Sequence, residues 1–376
     1  MTAFEDLVTW RESSTSGESI AAALAAGGPS FAEARRVLGS AERIVITGAG
    51  SSYYLAQVVA AAGRAALRRS VIAVPLSELI LRPDGVLVAT GAAGAAGAAG
   101  ATGATGATAG ARAAQAASEP VVIISRSGST SEAVTVAERM HAAGHPTVAV
   151  TCRGDSPLAA LTDVTLVSAA GDEAAIVMTR SFASMLAVLL QVVAGAAGDR
   201  TLSADLDRLG GRWAEAAAAA VIGRRLGTTG WNRVVILGGG PAIGIALEWG
   251  LKLTETSQVT TNAYEPLEFR HGPISVCEPG VLVVGLVGGP GAAEEVAVVE
   301  EAARLGATTW LVARDADEAR GTTGEVSLIG GGLHPAACLP LLLHPGHALA
   351  LSLALTRGRD PDAPRHLGQV VILGAE

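Results

Sequence analysis

A chain of 376 residues with 49% hydrophobic side chains can bury a large core and exceeds the usual length of a single domain. Its 27 Lys+Arg against 35 Asp+Glu leave a net charge of −8 with no basic run, so nucleic acid is not an expected partner. Aromatic residues make up only 3%, so the core must be built from Ala, Val, Leu and Ile, the residues of packed helices and buried parallel strands.

The opening MTAFEDLVTWRESSTSGESI is acidic and polar where a secretory signal needs a basic start and an apolar run, so a cytoplasmic location is expected. Residues 1–34 read as an N-terminal helical segment. No stretch reaches about 18 apolar residues uninterrupted by Gly, Pro or charge, so no membrane partner is expected. Cys152, Cys277 and Cys338 are far apart and unpaired in spacing; they read as packing residues, with no disulfide framework and no metal site.

RIVITGA (43–49) is a β-branched run ending in Gly, followed by the helical SSYYLAQVVAAAGRAAL. The pattern continues with VIAVPLSELI (71–80), PVVIISRSGST (120–130), a helix from Ser131 to about Ala143, PTVAVTC (146–152), VTLVS (164–168) and a helix around 178–195. Residues 91–117 are a run of Gly/Ala/Thr three-residue repeats, too rich in Gly for a helix and expected to be a surface insertion. An Ala-rich helical segment (203–226) precedes a second round: RVVILGGG (233–240), a helix over 242–257, VLVVGLVGG (281–289), a helix near 292–305, TTWLVAR (308–314), VSLI (326–329) and a helix near 347–357. Two similar halves are expected, 35–200 and 201–356, with a tail over 357–376. The fold class is α/β: two doubly wound, flavodoxin-like parallel sheets in three-layer α/β/α domains, with ligands expected at the carboxyl ends of the strands.

The segment Ser125-Arg126-Ser127-Gly128-Ser129-Thr130 follows an apolar strand and opens a helix. Hydroxyls of Ser125, Ser127 and Thr130, with backbone N–H groups at the helix start, are suited to an anion such as phosphate; an ordinary N-cap has the same residues. Gly50-Ser51-Ser52 closes the adjacent strand and can join them. Glu248, Lys252 and Glu255, spaced by four and three, lie on one helix face. Lys252 is the one lysine among 27 cationic residues, and a compact ammonium can donate to a developing enediolate oxygen. His271 sits in Glu268-Phe269-Arg270-His271-Gly272-Pro273, a turn that presents an imidazole able to titrate near neutral pH.

SRSGSTSEA resembles the phosphosugar loop of the sugar isomerase (SIS) domain family, and GAGSS its companion loop. EWGLKLTETSQV and EPLEFRHGP resemble the active-site region in the isomerase half of glucosamine-6-phosphate synthases, so the resemblance runs over about residues 35–376. It implies Ser51, Ser52, Ser125, Ser127 and Thr130 around the phosphate, Glu255 as base and His271 as the ring-opening residue; Lys252 is expected to join these two in catalysis, and Gly50, Arg126 and Gln369 are expected to bind the substrate. It also implies a homodimer in which the His loop reaches the neighbouring subunit's site, and a tail, here Asp362-Ala363-Pro364-Arg365-His366-Leu367, that closes over the sugar. Two departures matter. Gln369 stands where the synthases have a tail lysine, and no cysteine-nucleophile glutaminase segment is read in this sequence. The expected activity is therefore aldose–ketose isomerisation or deamination of an amino-sugar phosphate such as glucosamine-6-phosphate, with no cofactor and no metal. The alternative is a non-catalytic phosphosugar-binding regulator.

A nicotinamide enzyme fits poorly. Gly48-Ala49-Gly50-Ser51-Ser52 lacks a third glycine, and Gly238-Gly239-Gly240-Pro241-Ala242-Ile243-Gly244 has one residue too many. His141 and His145 flank a helix end, and His334, His344 and His347 sit near prolines in a loop-rich stretch.

Overall fold

The computed structural model describes residues 3–87 and 119–372; the repeat at 91–117 lies outside them. Among the described residues ten strands form two five-stranded sheets, every neighbouring pair parallel. The first holds β1 (Arg43–Gly48), β2 (Ser70–Pro75), β3 (Val121–Ile124), β4 (Thr147–Thr151) and β5 (Val164–Val167) in the order β2-β1-β3-β4-β5. The second holds β6 (Arg233–Gly238), β7 (Thr260–Tyr264), β8 (Val281–Leu286), β9 (Thr308–Ala313) and β10 (Glu325–Leu328) in the order β10-β9-β8-β6-β7. Read from the other edge, the second order repeats the first, so the two halves share one topology. The central strands β3, β4 and β8 are buried along their whole length, as parallel strands covered on both faces must be.

Some boundaries differ from expectation for local reasons. VIAVPLSELI is not one element: β2 ends at Pro75, and a helix, Leu76–Leu81, starts there. The 203–226 segment divides into Arg200–Asp207 and Trp213–Gly227 around Gly210 and Gly211. β7, TTNAY, is an edge strand with no fully buried position, and its polar composition concealed it. His344 and His347 are not in a loop; both lie buried on the helix Leu343–Thr356, whose first turn accommodates Pro345.

One apolar cluster runs through both halves, joining the helices Ser51–Leu67, Arg180–Ala197, Ala242–Ser257 and Leu343–Thr356. Two helical stretches, Arg180–Ala197 and Pro335–Thr356, are long and apolar enough to span a bilayer, and 78% and 94% of their apolar windows are buried inside the fold. The helix Ala242–Ser257 packs closely on Ser51–Leu67 because Gly244 lacks a side chain; a Cβ there would lie 2.5 Å from Val58 Cγ2 and 2.6 Å from the Tyr54 carbonyl. That contact brings the second half's helix face up to the first half's glycine turn.

Candidate active site

In the 2-1-3-4-5 strand order the chain reverses direction between β1 and β3, and the loops leaving those strands splay apart to open a crevice. A cleft of about 200 Å³ lies there. Gly50, Ser51 and Ser52 line it from the β1 turn, Ser125, Arg126, Ser127 and Thr130 from the β3 loop, Ile176, Val177 and Met178 from a third side, Gln369 and Val371 from the tail, and Lys252 and Glu255 from the helix Ala242–Ser257. Every sequence-derived site residue but one thus faces the same space. His271 does not line this cleft; it is exposed, in the turn after the short helix Pro266–Phe269.

The β3 loop turns sharply at Gly128. Its φ is +61°, and a Cβ there would lie 2.0 Å from Ser156 Oγ, so this position admits glycine alone without rearrangement. Thr130 is the N-cap of the helix Ser131–Ala142, and its Oγ1 accepts from Ser125 Oγ at 3.4 Å. Ser125, Ser127, Ser51 and Ser52 are each 4–6% exposed, so the hydroxyls are gathered in a sheltered pocket at two helix starts.

Ser51 does more than line the pocket. Its hydroxyl donates to Glu248 Oε1 at 3.0 Å and accepts from Lys252 Nζ at 3.2 Å. Lys252 Nζ lies 2.5 Å from Glu255 Oε2 and 3.3 Å from Glu248 Oε1. Glu248 is fully buried, Lys252 is 2% exposed, and the Glu255 side chain is 18% exposed toward the cleft. Burial raises Glu248 to about 7, with Glu255 adding to the rise and Lys252 and Ser51 opposing it. Burial alone would depress Lys252, but the two carboxylates outweigh it and hold the ammonium above its ordinary value. The result is a sealed charge triad with one carboxylate, Glu255, open to a ligand. A solvated helix-surface ion pair, the other reading of this spacing, does not describe it.

Arg126 departs from its expected role. Its guanidinium donates to the carbonyls of Ala175 and Ile176 at 3.1 and 3.2 Å and to that of Gln369 at 3.0 Å, and it lies 3.5 Å from the fully buried Glu173. Gln369 likewise turns its amide to the carbonyls of Glu173, Ala174 and Ala175 at 3.3, 2.5 and 3.3 Å. Glu12 and Glu173, which the sequence reading did not single out, complete this wall. Glu12 accepts from the N–H groups of Ala174 and Ala175 at 2.7 and 2.9 Å, and Glu173 accepts from Thr179 and Ser181.

The second half repeats the crevice but fills it. Glu265 and Glu295 stand at the glycine loop after β6, where a Cβ on Gly239 would lie 2.0 Å from Glu295 Oε1 and 3.8 Å from Glu265 Oε2. Burial raises both, Glu295 to about 7, and an anion finds no counterpart of the serine pocket there.

The remaining histidines play other parts. His344 and His347 share Ser13 Oγ, each through Nδ1 at 2.8 Å, and burial depresses both. Among the described residues no cluster of His, Cys, Asp and Glu has metal-binding geometry.

Comparison with known proteins agrees with this architecture. The SIS domain model matches residues 98–195 and 229–319, just over half of the chain. Glutamine–fructose-6-phosphate aminotransferase (isomerizing) of Pyrobaculum aerophilum is 32% identical over 139 residues, which is 36% of this chain and 22% of that protein. The sequence of the same name from Sphingobium yanoikuyae is 31% identical over 140 residues, 37% of this chain and 90% of that one. For the first relatives the matched stretch thus spans only about a quarter of their length. Among solved structures, the C-terminal domain of glucosamine-fructose-6-phosphate aminotransferase from Francisella tularensis superposes with a TM-score of 0.77 at 17% identity, covering 96% of this chain and 100% of that one. Tagatose-6-phosphate ketose/aldose isomerase of Escherichia coli gives 0.77 at 21% identity, covering 96% and 97%. Glucosamine-6-phosphate deaminase of Thermotoga maritima gives 0.69 at 23%, covering 92% and 98%. With two matched SIS segments on two sheets of one topology, the chain belongs to the SIS domain family.

Proposed function

We propose that this protein is a phosphosugar aldose–ketose isomerase or deaminase acting on an amino-sugar phosphate such as glucosamine-6-phosphate. The observation that carries the reading is that one cleft joins a hydroxyl- and glycine-lined anion pocket to a partly exposed carboxylate, Glu255, backed by a buried ammonium, with Glu132 also on the lining at the start of the helix after the serine loop. In this reading Ser125, Ser127, Ser52 and the helix N-termini hold the phosphate. Glu255 removes a proton from carbon 2 of the open-chain sugar and returns it to carbon 1. Lys252, kept charged by Glu248 and Glu255, stabilises the negative oxygen of the enediolate or enolamine. In the deaminating direction the amino group leaves as ammonia once water adds to carbon 2.

His271 belongs to the reading as the ring-opening residue of a homodimer, contributed to the partner's cleft; its exposure and its place off this chain's own cleft support that assignment. The likeness in fold to a deaminase and to ketose/aldose isomerases supports the reaction class. Purified protein incubated with glucosamine-6-phosphate is the test. Ammonia and fructose-6-phosphate, both lost in Glu255→Gln, establish the deaminase. Binding of sugar phosphates without turnover establishes instead a regulator, a reading favoured by the Gln369 amide, which is spent on the wall carbonyls where an amine would do chemistry.

A further inference from the structure

Arg126 stands between two serines of the anion pocket, the place of a substrate ligand by sequence, yet its side chain is only 8% exposed and its terminal nitrogens are engaged by backbone carbonyls at the edge of the cleft. Three carbonyls accept from its two terminal nitrogens, and Glu173 stands 3.5 Å away. The wall it grips is held from its opposite edge by Glu12, which takes the N–H groups of Ala174 and Ala175 while Arg126 and Gln369 take the carbonyls. Residues 174–176 are therefore clamped on both sides, and Ile176, which Arg126 holds by its carbonyl, faces the cleft. Further along the tail, the Val371 carbonyl accepts from the Ser131 N–H at 3.4 Å, at the start of the helix that follows the anion loop.

We propose that Arg126 is a positioning residue: its guanidinium ties the anion loop to the 174–176 wall and to the Gln369 backbone, so that loop, wall and tail form one clamp around a bound sugar phosphate. The identity of the ligand rests on the function proposed above; the clamp does not. Anion contact at Ser125 and Ser127 acts on the backbone of Arg126, and the rigid planar fork transmits that restraint to the wall that meets the sugar. An ammonium in its place reaches one carbonyl, not three.

Hydrogen exchange on the full chain tests this first without ligand. Arg126→Gln is expected to speed exchange about tenfold or more in residues 368–372 and 174–178 while leaving the helix Ser51–Leu67 unchanged, with Arg126→Lys in between. Should the unpaired Glu173 prevent folding, Arg126→Gln combined with Glu173→Gln removes that charge and is read the same way. Binding follows, by thermal shift with inorganic phosphate and with glucosamine-6-phosphate. The variant is expected to keep phosphate affinity within about twofold and to lose about tenfold for the sugar phosphate. Unchanged exchange in wall and tail overturns the clamp, and loss of inorganic phosphate binding along with it makes Arg126 a direct phosphate ligand. If the unaltered protein binds neither probe, the function proposed above falls while the exchange result still decides the clamp.

Discussion

The hydroxyl of Ser51 donates to the carboxylate of Glu248 at 3.0 Å, so the first sheet's glycine turn is bonded to the helix of the second half that carries the charged triad. The bond crosses between two similar halves and joins the serine turn of the first to the Glu248–Lys252–Glu255 triad of the second. Glu248→Ala leaves the buried Lys252 with a single carboxylate and is expected to cost about 3 kcal/mol in urea unfolding. Glu248→Gln keeps an acceptor for Ser51 and is expected to cost less. Equal losses would mean that side-chain volume rather than charge sets the requirement.

Glu255→Gln is expected to reduce turnover by about three orders of magnitude, in the range of a lost general base. The side chain is partly open to the cleft, so the melting temperature is expected to stay within a few degrees. A steady-state assay paired with a thermal melt separates the two effects, and an unfolded variant would contradict the assignment of Glu255 to chemistry.

The pH dependence of stability follows from two raised carboxyls. Glu248 and Glu295 are each held at about 7, above their ordinary 4.5, chiefly by burial. Each binds its proton more tightly in the folded protein than in the unfolded chain. The stabilisation is therefore complete below pH 4.5 and lost as pH rises through 7. Glu295→Gln, away from the cleft, is expected to flatten the fall of melting temperature across that window. A slope unchanged from the parent protein would show Glu295 to be ionised throughout.

Gly128→Ala combines a left-handed backbone with a Cβ placed against Ser156, and is expected to destabilise by about 2 kcal/mol. Because the turn sets the spacing of Ser125, Ser127 and Thr130, it is also expected to weaken sugar-phosphate binding. Calorimetric titration checks this, and wild-type affinity in the variant would show that the loop tolerates a shifted turn.

Ser13→Ala removes the one hydroxyl shared by His344 and His347, leaving two buried ring nitrogens unpaired at a cost of about 2 kcal/mol. Chemical denaturation measures it, and no loss would mean that the rings find new partners.

Much of this was legible because strands such as RIVITG and RVVILG are β-branched runs that end in glycine, and because a helix face at i, i+4 and i+7 can be counted directly. β7 was not, since an edge strand of Thr, Asn and Ala has neither alternation nor bulk. The Ser125–Thr130 loop at the cleft was legible as a contiguous motif, but the partners of the Arg126 side chain were not. Its partners lie 49, 50 and 243 residues away and are backbone carbonyls, which carry no residue signature. Glu12 escaped for the same reason, as its bonds to the wall span 162 and 163 residues.

Asp362 accepts from the N–H groups of Val8 and Thr9 at 2.8 and 2.9 Å, capping from the tail the short helix that bears Glu12. In time rather than space, this makes the cleft a late product of synthesis. A chain emerging from the ribosome has its serine loop once residue 130 is made and Glu255 only later. The wall that Glu12 grips is complete only when the residues around 362 and 369 emerge. Translation products cut short before that point are expected to contain both sheets yet lack a closed cleft.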